Sequence, residues 1–192
     1  AAMLAPPQRD IPRFQPTNQG PEYLSELKAR SRPDKLPSAD LNDLTRTDLK
    51  AAMAAAPSVS AGLAAKSFAT DSATGWAVAS NPIVAVLTDR VDTVRELLPL
   101  LERAHKADRP LVLAAAGIGT AVLDTLAANT VQGKVQIVPV VVSPDQGARV
   151  AALTLATPLS HTDLQAGWTP EDALGSSDTW ISDRATSWII AN

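Results

Sequence analysis

The sequence predicts a mixed α/β domain that follows a proline-rich N-terminal arm. From residue 58 onward, short apolar runs suited to buried strands alternate with longer segments of helical periodicity, and this alternation is the pattern of α/β architecture. Before residue 57, prolines interrupt the chain every few residues, which excludes long helices and central strands. We therefore divide the chain into an arm, 1–56, and a domain, 57–192.

The arm contains two segments that could form short helices. Residues 21–30 (PEYLSELKAR) have proline in the first turn and basic residues in the last, an arrangement that favours a helix. A second helix is predicted to start at Ser38 or Asp40 as its cap. An apolar strip runs along this second helix and consists of Leu41, Leu44, Leu49 and Met53.

The first elements of the domain are a strand and a helix. An Asn-Pro break precedes the apolar run 83–87 (IVAVL), which predicts a buried strand. A helix is predicted over 93–107, because Thr93 and Glu96 stand at capping-box spacing. Pro99 lies inside this segment and is expected to bend the helix, since its ring removes an internal hydrogen bond.

The remaining elements follow from the same alternation of apolar runs and breakers. Gly117 and Gly119 predict a turn between a strand and a helix, and Gly133 ends that helix. The predicted strands are 111–115, 135–142, a short one near Trp180 and 188–190, and the predicted helices are 120–131 and 147–155.

Composition excludes several classes of function. The net charge is −3 and no basic run is present, so no nucleic-acid partner is expected. No window approaches the roughly 18 apolar residues of a membrane span. Without cysteine the chain has no disulfide or thiolate site, which agrees with a cytoplasmic location. Its two histidines, His105 and His161, lack metal-ligand spacing. No metal and no cofactor are expected.

Enzyme readings of the sequence are weak. Ser160, His161 and Asp163 form a polar cluster, but neighbours on one loop do not converge as a catalytic triad does. A dinucleotide-binding turn at Gly117 and Gly119 would need a third glycine where the chain has Val122. The four tryptophans are expected to anchor strands and loop corners. No catalytic residue and no enzymatic activity are predicted.

Several segments together carry a family resemblance. Residues 92–110 (DTVRELLPLLERAHKADRP) follow the pattern I-x-x-[IL]-[RK]-[DE]-[LM]-L-P-[LV]-L-E and a later [RK]-P-L, and 120–133 (TAVLDTLAANTVQG) follows G-E-A-L-A-T-L-V-V-N-x-x-x-G. Ser143-Pro144, Leu174-Gly175 and 186–190 (TSWII) match shorter motifs in the same order. Over about residues 60–192, the sequence resembles the apical domain of a GroEL-type (group I) chaperonin.

The resemblance implies a β-sandwich flanked by helices, with a chaperone role in protein folding. Such a domain binds non-native polypeptide, or a segment of a partner protein, in an apolar groove between two neighbouring helices. Other chaperonin subunits are a further class of partner that it implies. Helical spacing places Leu98, Leu101 and His105 on one face of the first helix. The other groove positions implied by the resemblance are Leu123, Ala127 and Ala128 on the second helix and Phe68 in a preceding loop.

Departures from the family pattern leave alternatives open. The family has two large aliphatic residues where this chain has Ala127 and Ala128, which predicts weaker peptide binding. Nothing in the chain resembles the family's nucleotide-binding loops. One alternative is a structural or assembly module whose groove is filled by its own arm or by another subunit. The other is that Leu98 and Leu101 are ordinary core residues beneath the arm.

Overall fold

A computed structural model describes residues 40–133 and 135–191; the predicted helix at 21–30 lies outside them. The strands are β1 Ser58–Val59, β2 Ala77–Ser80, β3 Ile83–Val91, β4 Leu111–Ile118, β5 Ile137–Val141, β6 Gly175–Ser176, β7 Thr179–Ser182 and β8 Ser187–Ile190. The helices are α1 Asp43–Ala55, α2 Leu98–Ala107, α3 Thr120–Val131, α4 Pro144–Thr154 and α5 His161–Gln165, with 3-10 turns at Lys66–Phe68, Val94–Leu97 and Glu171–Ala173. Across the described ranges, no helix combines the length and the apolar character that crossing a membrane requires.

The strands form two four-stranded sheets. In the antiparallel sheet the order is β1-β8-β7-β2, and in the mixed sheet it is β5-β4-β3-β6. Strands β3, β4 and β5 run parallel, and β6 joins β3 antiparallel. Helices α2 and α3 make the two crossovers between the parallel strands, as parallel pairing requires.

The mixed sheet is buried on both faces. On β3, Ile83, Ala85 and Leu87 belong to a core shared with α2 and α3. The alternate residues Val84 and Val86 belong to a second core, shared with α4 and the antiparallel sheet. This alternation follows from the two-residue period of a strand. The described chain is therefore a β-sandwich with α2 and α3 on the outer face of the mixed sheet, whereas α4 packs on the face shared with the antiparallel sheet.

Helix α2 begins later than predicted because Pro99 lies in its first turn. The segment predicted as one bent helix over 93–107 is a 3-10 turn followed by α2. In the first turn of a helix, the missing N–H of proline needs no partner. Thr93 provides no side-chain cap; its hydroxyl donates to Glu96 Oε1 at 2.9 Å. The predicted bend and capping box are therefore wrong.

Three other boundaries differ from the prediction. The α1 cap is Asn42, whose Oδ1 accepts from the Thr45 N–H at 2.8 Å, and not Ser38 or Asp40. Gly117 lies within β4, so the predicted turn is reduced to Gly119, the cap of α3. Helix α4 starts at Pro144, ahead of the predicted position 147, because Ser143 and Gln146 form a capping box.

Helix α1 is held on the domain by a buried carboxylate. Asp71 is fully buried and accepts hydrogen bonds from Arg46 Nη2 at 2.8 Å, Arg46 Nε at 3.2 Å and the Leu41 N–H at 3.1 Å. Thr74 donates to it through its backbone and its hydroxyl. These bonds, that of Arg46 above all, hold the pKa of Asp71 far below its usual range, although burial opposes them. This part of the arm therefore depends on Asp71 being ionised.

We expect Asp71→Asn to lower the melting temperature at neutral pH. This gap in melting temperature between the variant and the wild type should become smaller as the pH falls. A carboxylate whose folded pKa is depressed contributes stability that is complete above the unfolded pKa of about 3.9 and is lost as the pH falls toward the folded value. Thermal unfolding followed by circular dichroism from about pH 7 to about pH 3 measures the gap. Asp48→Asn, at an exposed position of α1, is the control. A gap for Asp71→Asn that stays constant over this range would contradict the expectation.

Candidate functional site

Helices α2 and α3 lie on the same face of the mixed sheet and are anchored by buried apolar side chains. Leu97, Leu100 and Ala104 anchor the first helix and the turn before it, and Val122 and Leu126 anchor the second. Helix α3 also packs against the turn Val94–Leu97 that leads into α2. The two helices are thus positioned by the core and not by their own loops.

The surface of α2 presents apolar side chains beside the buried ones. Leu98 is 36% exposed, whereas its neighbour Leu97 is completely buried. Leu101 is half-buried and packs against the edge of the core, and His105 is exposed. The sequence placed Leu98, Leu101 and His105 on one helix face, and the three lie at the surface or at the margin of the core.

Of the α3 side chains predicted to line the groove, Leu123 is the one that stays partly exposed. Leu123 is half-buried and packs against the margin of the core. Ala127 is 2% exposed and Ala128 is 9% exposed, so both are core residues. Phe68 is buried as well and belongs to the core beneath the helices. In this conformation these three side chains offer almost no surface to a guest, whereas the prediction had them line the groove.

The described part of the arm does not fill the space between the two helices. Helix α1 packs against β8 of the antiparallel sheet, which covers the opposite face of the mixed sheet. Leu44, one of the residues expected to plug the groove, is 79% exposed. The plug predicted from Leu41, Leu44, Leu49 and Met53 is therefore not formed by α1.

The polar cluster near residue 160 serves helix α5. Ser160 and Asp163 form its capping box, and the hydrogen bonds of Ser160 lower the pKa of Asp163. The His161 ring is directed to another carboxylate, with Nδ1 3.3 Å from Glu96 Oε2. The backbone N–H of His161 donates to Asp89 at 2.8 Å and lowers the pKa of that carboxyl. The cluster ties α5 to the turn before α2, and these ties were not predicted because Asp89 and Glu96 are distant from it in sequence.

A small apolar cleft of about 180 Å³ lies at the carboxyl ends of the parallel strands. Its hydroxyl groups come from Thr88 and Ser143, and Ser143 already caps α4. The rest of the lining is Val86, Leu87, Ala116, Val142, Pro144, Gly147, Ala148 and Pro158. This cleft offers neither an acid–base pair nor a set of metal ligands. Within the described ranges, no cluster of histidine and acidic residues could hold a metal ion.

The comparisons with known proteins identify the fold. No family model matches the sequence. The structure is similar to the chaperonin gp146 from the bacteriophage EL 2 (Pseudomonas aeruginosa), in two crystal forms obtained in the presence of ATP-BeFx. Form I gives a TM-score of 0.54 at 15% sequence identity, and form II gives 0.53 at 17%. Either match covers 70% of this chain and 28% of the chaperonin chain, so this chain corresponds to a part of that protein.

At this level of identity, the similarity shows the fold. The described chain has the mixed α/β fold of a chaperonin domain, which confirms the fold class expected from the sequence.

We expect alanine substitutions at Leu98 and Leu100 to differ in cost, although both lie in α2. Leu100 is buried, so Leu100→Ala should destabilise the protein by about 2–5 kcal/mol. Leu98 lies at the surface, and Leu98→Ala should cost less than about 1 kcal/mol. Urea unfolding of the two variants measures the difference. Equal and large costs would show that Leu98 is an ordinary core residue.

Proposed function

We propose that the domain, 57–192, binds polypeptide segments without catalysis, as a divergent chaperonin apical domain, and that 1–56 serve as its arm. The guest is a non-native protein or a segment of a partner protein. Its binding surface consists of Leu98, Leu101 and His105 on α2 and Leu123 on α3. Covering apolar surface stabilises such a complex by about 25 cal/mol for each Å².

The exposure of Leu98 is the observation that carries the proposal. Leu44 and Leu155 are more exposed, at 79% and 85%, but isolated exposed leucines are ordinary in soluble proteins. Leu98 differs because half-buried Leu101 follows three residues later on the same helix face, and half-buried Leu123 lies on the adjacent helix. Apolar side chains grouped on rigid elements are the usual composition of a peptide-binding surface.

The fold supports the same role, because gp146 is itself a chaperonin and shares this architecture. The burial of Ala127 and Ala128 reduces the apolar surface that α3 can offer to a guest. Large side chains at those positions are implied by the family resemblance, and their replacement by alanine leaves α2 as the main source of apolar contact. We therefore infer weaker binding than the family pattern implies, with no associated chemistry.

We expect Leu98→Ala and Leu123→Ala each to weaken the binding of an apolar peptide about fivefold. The loss corresponds to about 1 kcal/mol for a partly covered leucine side chain. Fluorescence anisotropy of a labelled ten- to fifteen-residue unstructured apolar peptide, titrated with the full chain, provides the dissociation constants. Leu44→Ala is the matched control, because it removes an exposed leucine on the other side of the domain.

The proposal fails if the wild-type chain does not bind the peptide, or if all three variants weaken binding alike. Self-association of the chain without peptide binding would instead favour an assembly module whose groove is filled by another subunit.

A further inference from the structure

We propose that Trp168 forms a second subsite beside the groove, which takes a cationic side chain, lysine or arginine, of the bound polypeptide. The inference rests on the proposed function and extends it by naming the chemistry of the guest. Trp168 is 52% exposed. The other three tryptophans behave as the sequence predicted: Trp76 and Trp180 are buried and Trp188 is half-buried.

The loop that carries Trp168 is fixed on both sides. The backbone N–H of Trp168 donates to the Asp163 carbonyl at 2.8 Å, directly after a turn at Gly167 with a positive φ of 69°. The next residue, Thr169, is buried, and its carbonyl accepts from Arg103 Nη2 of α2 at 2.8 Å. An exposed aromatic ring on a rigid support loses little conformational entropy on binding. Tryptophan at such positions is enriched among residues that dominate binding energy.

Trp168 and the groove flank the same helix. Arg103, which contacts the Trp168 loop, is two residues after Leu101. Successive residues of an α-helix are turned by about 100°, so these two side chains leave α2 on opposite sides. A helix with its side chains is about 10 Å wide, and an extended peptide covers about 3.3 Å per residue. A guest that crosses α2 therefore reaches both places within about three to five residues.

The charges around Trp168 favour a cation over a second apolar side chain. The segment 161–175 that carries Trp168 contains three carboxylates and neither lysine nor arginine, and the cation that contacts it from α2 is Arg103, already bonded to Thr169. These carboxylates are Asp163, which caps α5, and Glu171 and Asp172. The Glu171 side chain is 94% exposed, with Oε2 4.0 Å from Arg103 Nη1. The negative face of an indole ring attracts ammonium and guanidinium groups, and the excess of carboxylate acts in the same direction.

The test compares two labelled apolar peptides that differ in one residue, arginine or glutamine, placed four residues after the apolar run. Wild-type full chain should bind the arginine peptide about fivefold more tightly, since a cation–π contact contributes about 1 kcal/mol. Trp168→Ala should abolish this preference, so that the variant binds the arginine and glutamine peptides with equal affinity. Trp168→Phe should retain part of the preference, because phenylalanine is the weaker cation–π partner. Leu44→Ala, the control, should keep it all.

The outcomes separate the two proposals. The subsite is overturned if Trp168→Ala still prefers the arginine peptide, or if the wild-type chain binds both peptides equally. Both of these outcomes leave the proposed groove supported. Failure of the wild-type chain to bind either peptide overturns both proposals. A double variant, Glu171→Gln with Asp172→Asn, should reduce the preference for the arginine peptide by at least half and make that preference less sensitive to salt. An unchanged preference in the double variant would show that these carboxylates do not contribute to cation binding.

Discussion

Burial of the mixed sheet on both faces is the constraint on which the rest of the structure depends. Over residues 83–87, 111–115 and 137–140 its parallel strands have no face in contact with water, and their residues there are all apolar. The helix side receives the larger side chains of β4, Leu111 and Leu113, and the sandwich side receives Val112 and Ala114. The helix-side core positions α2 and α3, so any apolar side chain of these helices that the core does not bury remains at the surface.

This constraint also explains which parts of the fold could be predicted. Strands buried on both faces are continuous apolar runs, and β3, β4 and β5 were found for that reason. Helix α3 was predicted with its observed ends because Gly119 and Gly133 bound it. The missed elements are short: β1 and β6 have two residues each, β2 has four and α5 has five. Their residues are ordered by partners far along the chain, such as Thr154 beside Gly175, which local patterns do not contain.

The candidate site was predictable in outline only. Helical spacing grouped Leu98 with Leu101, but periodicity does not decide which of two apolar stripes faces the sheet. The burial of Ala127 and Ala128 had no signal in the sequence, because alanine is compatible with either environment. Trp168 was expected to anchor a loop corner. It does occupy a corner, but its backbone and the Thr169 carbonyl make the hydrogen bonds that hold the loop, and the residue stays half exposed. Such a division between backbone and side chain is set by tertiary structure alone.

Local backbone geometry determines where α2 begins and where it ends. Pro99 starts the helix, and Asp108, with φ at 50°, ends it. Beyond that end, Arg109 donates to the Asn81 carbonyl at 2.8 Å and to the Pro82 carbonyl at 3.1 Å. A proline in the first turn and a left-handed residue at the end both oppose lengthening of the helix. If α2 contacts guests of different shape as proposed, we expect it to adapt by tilting as a whole or by rotation of its outer side chains, and not by extension beyond its ten residues.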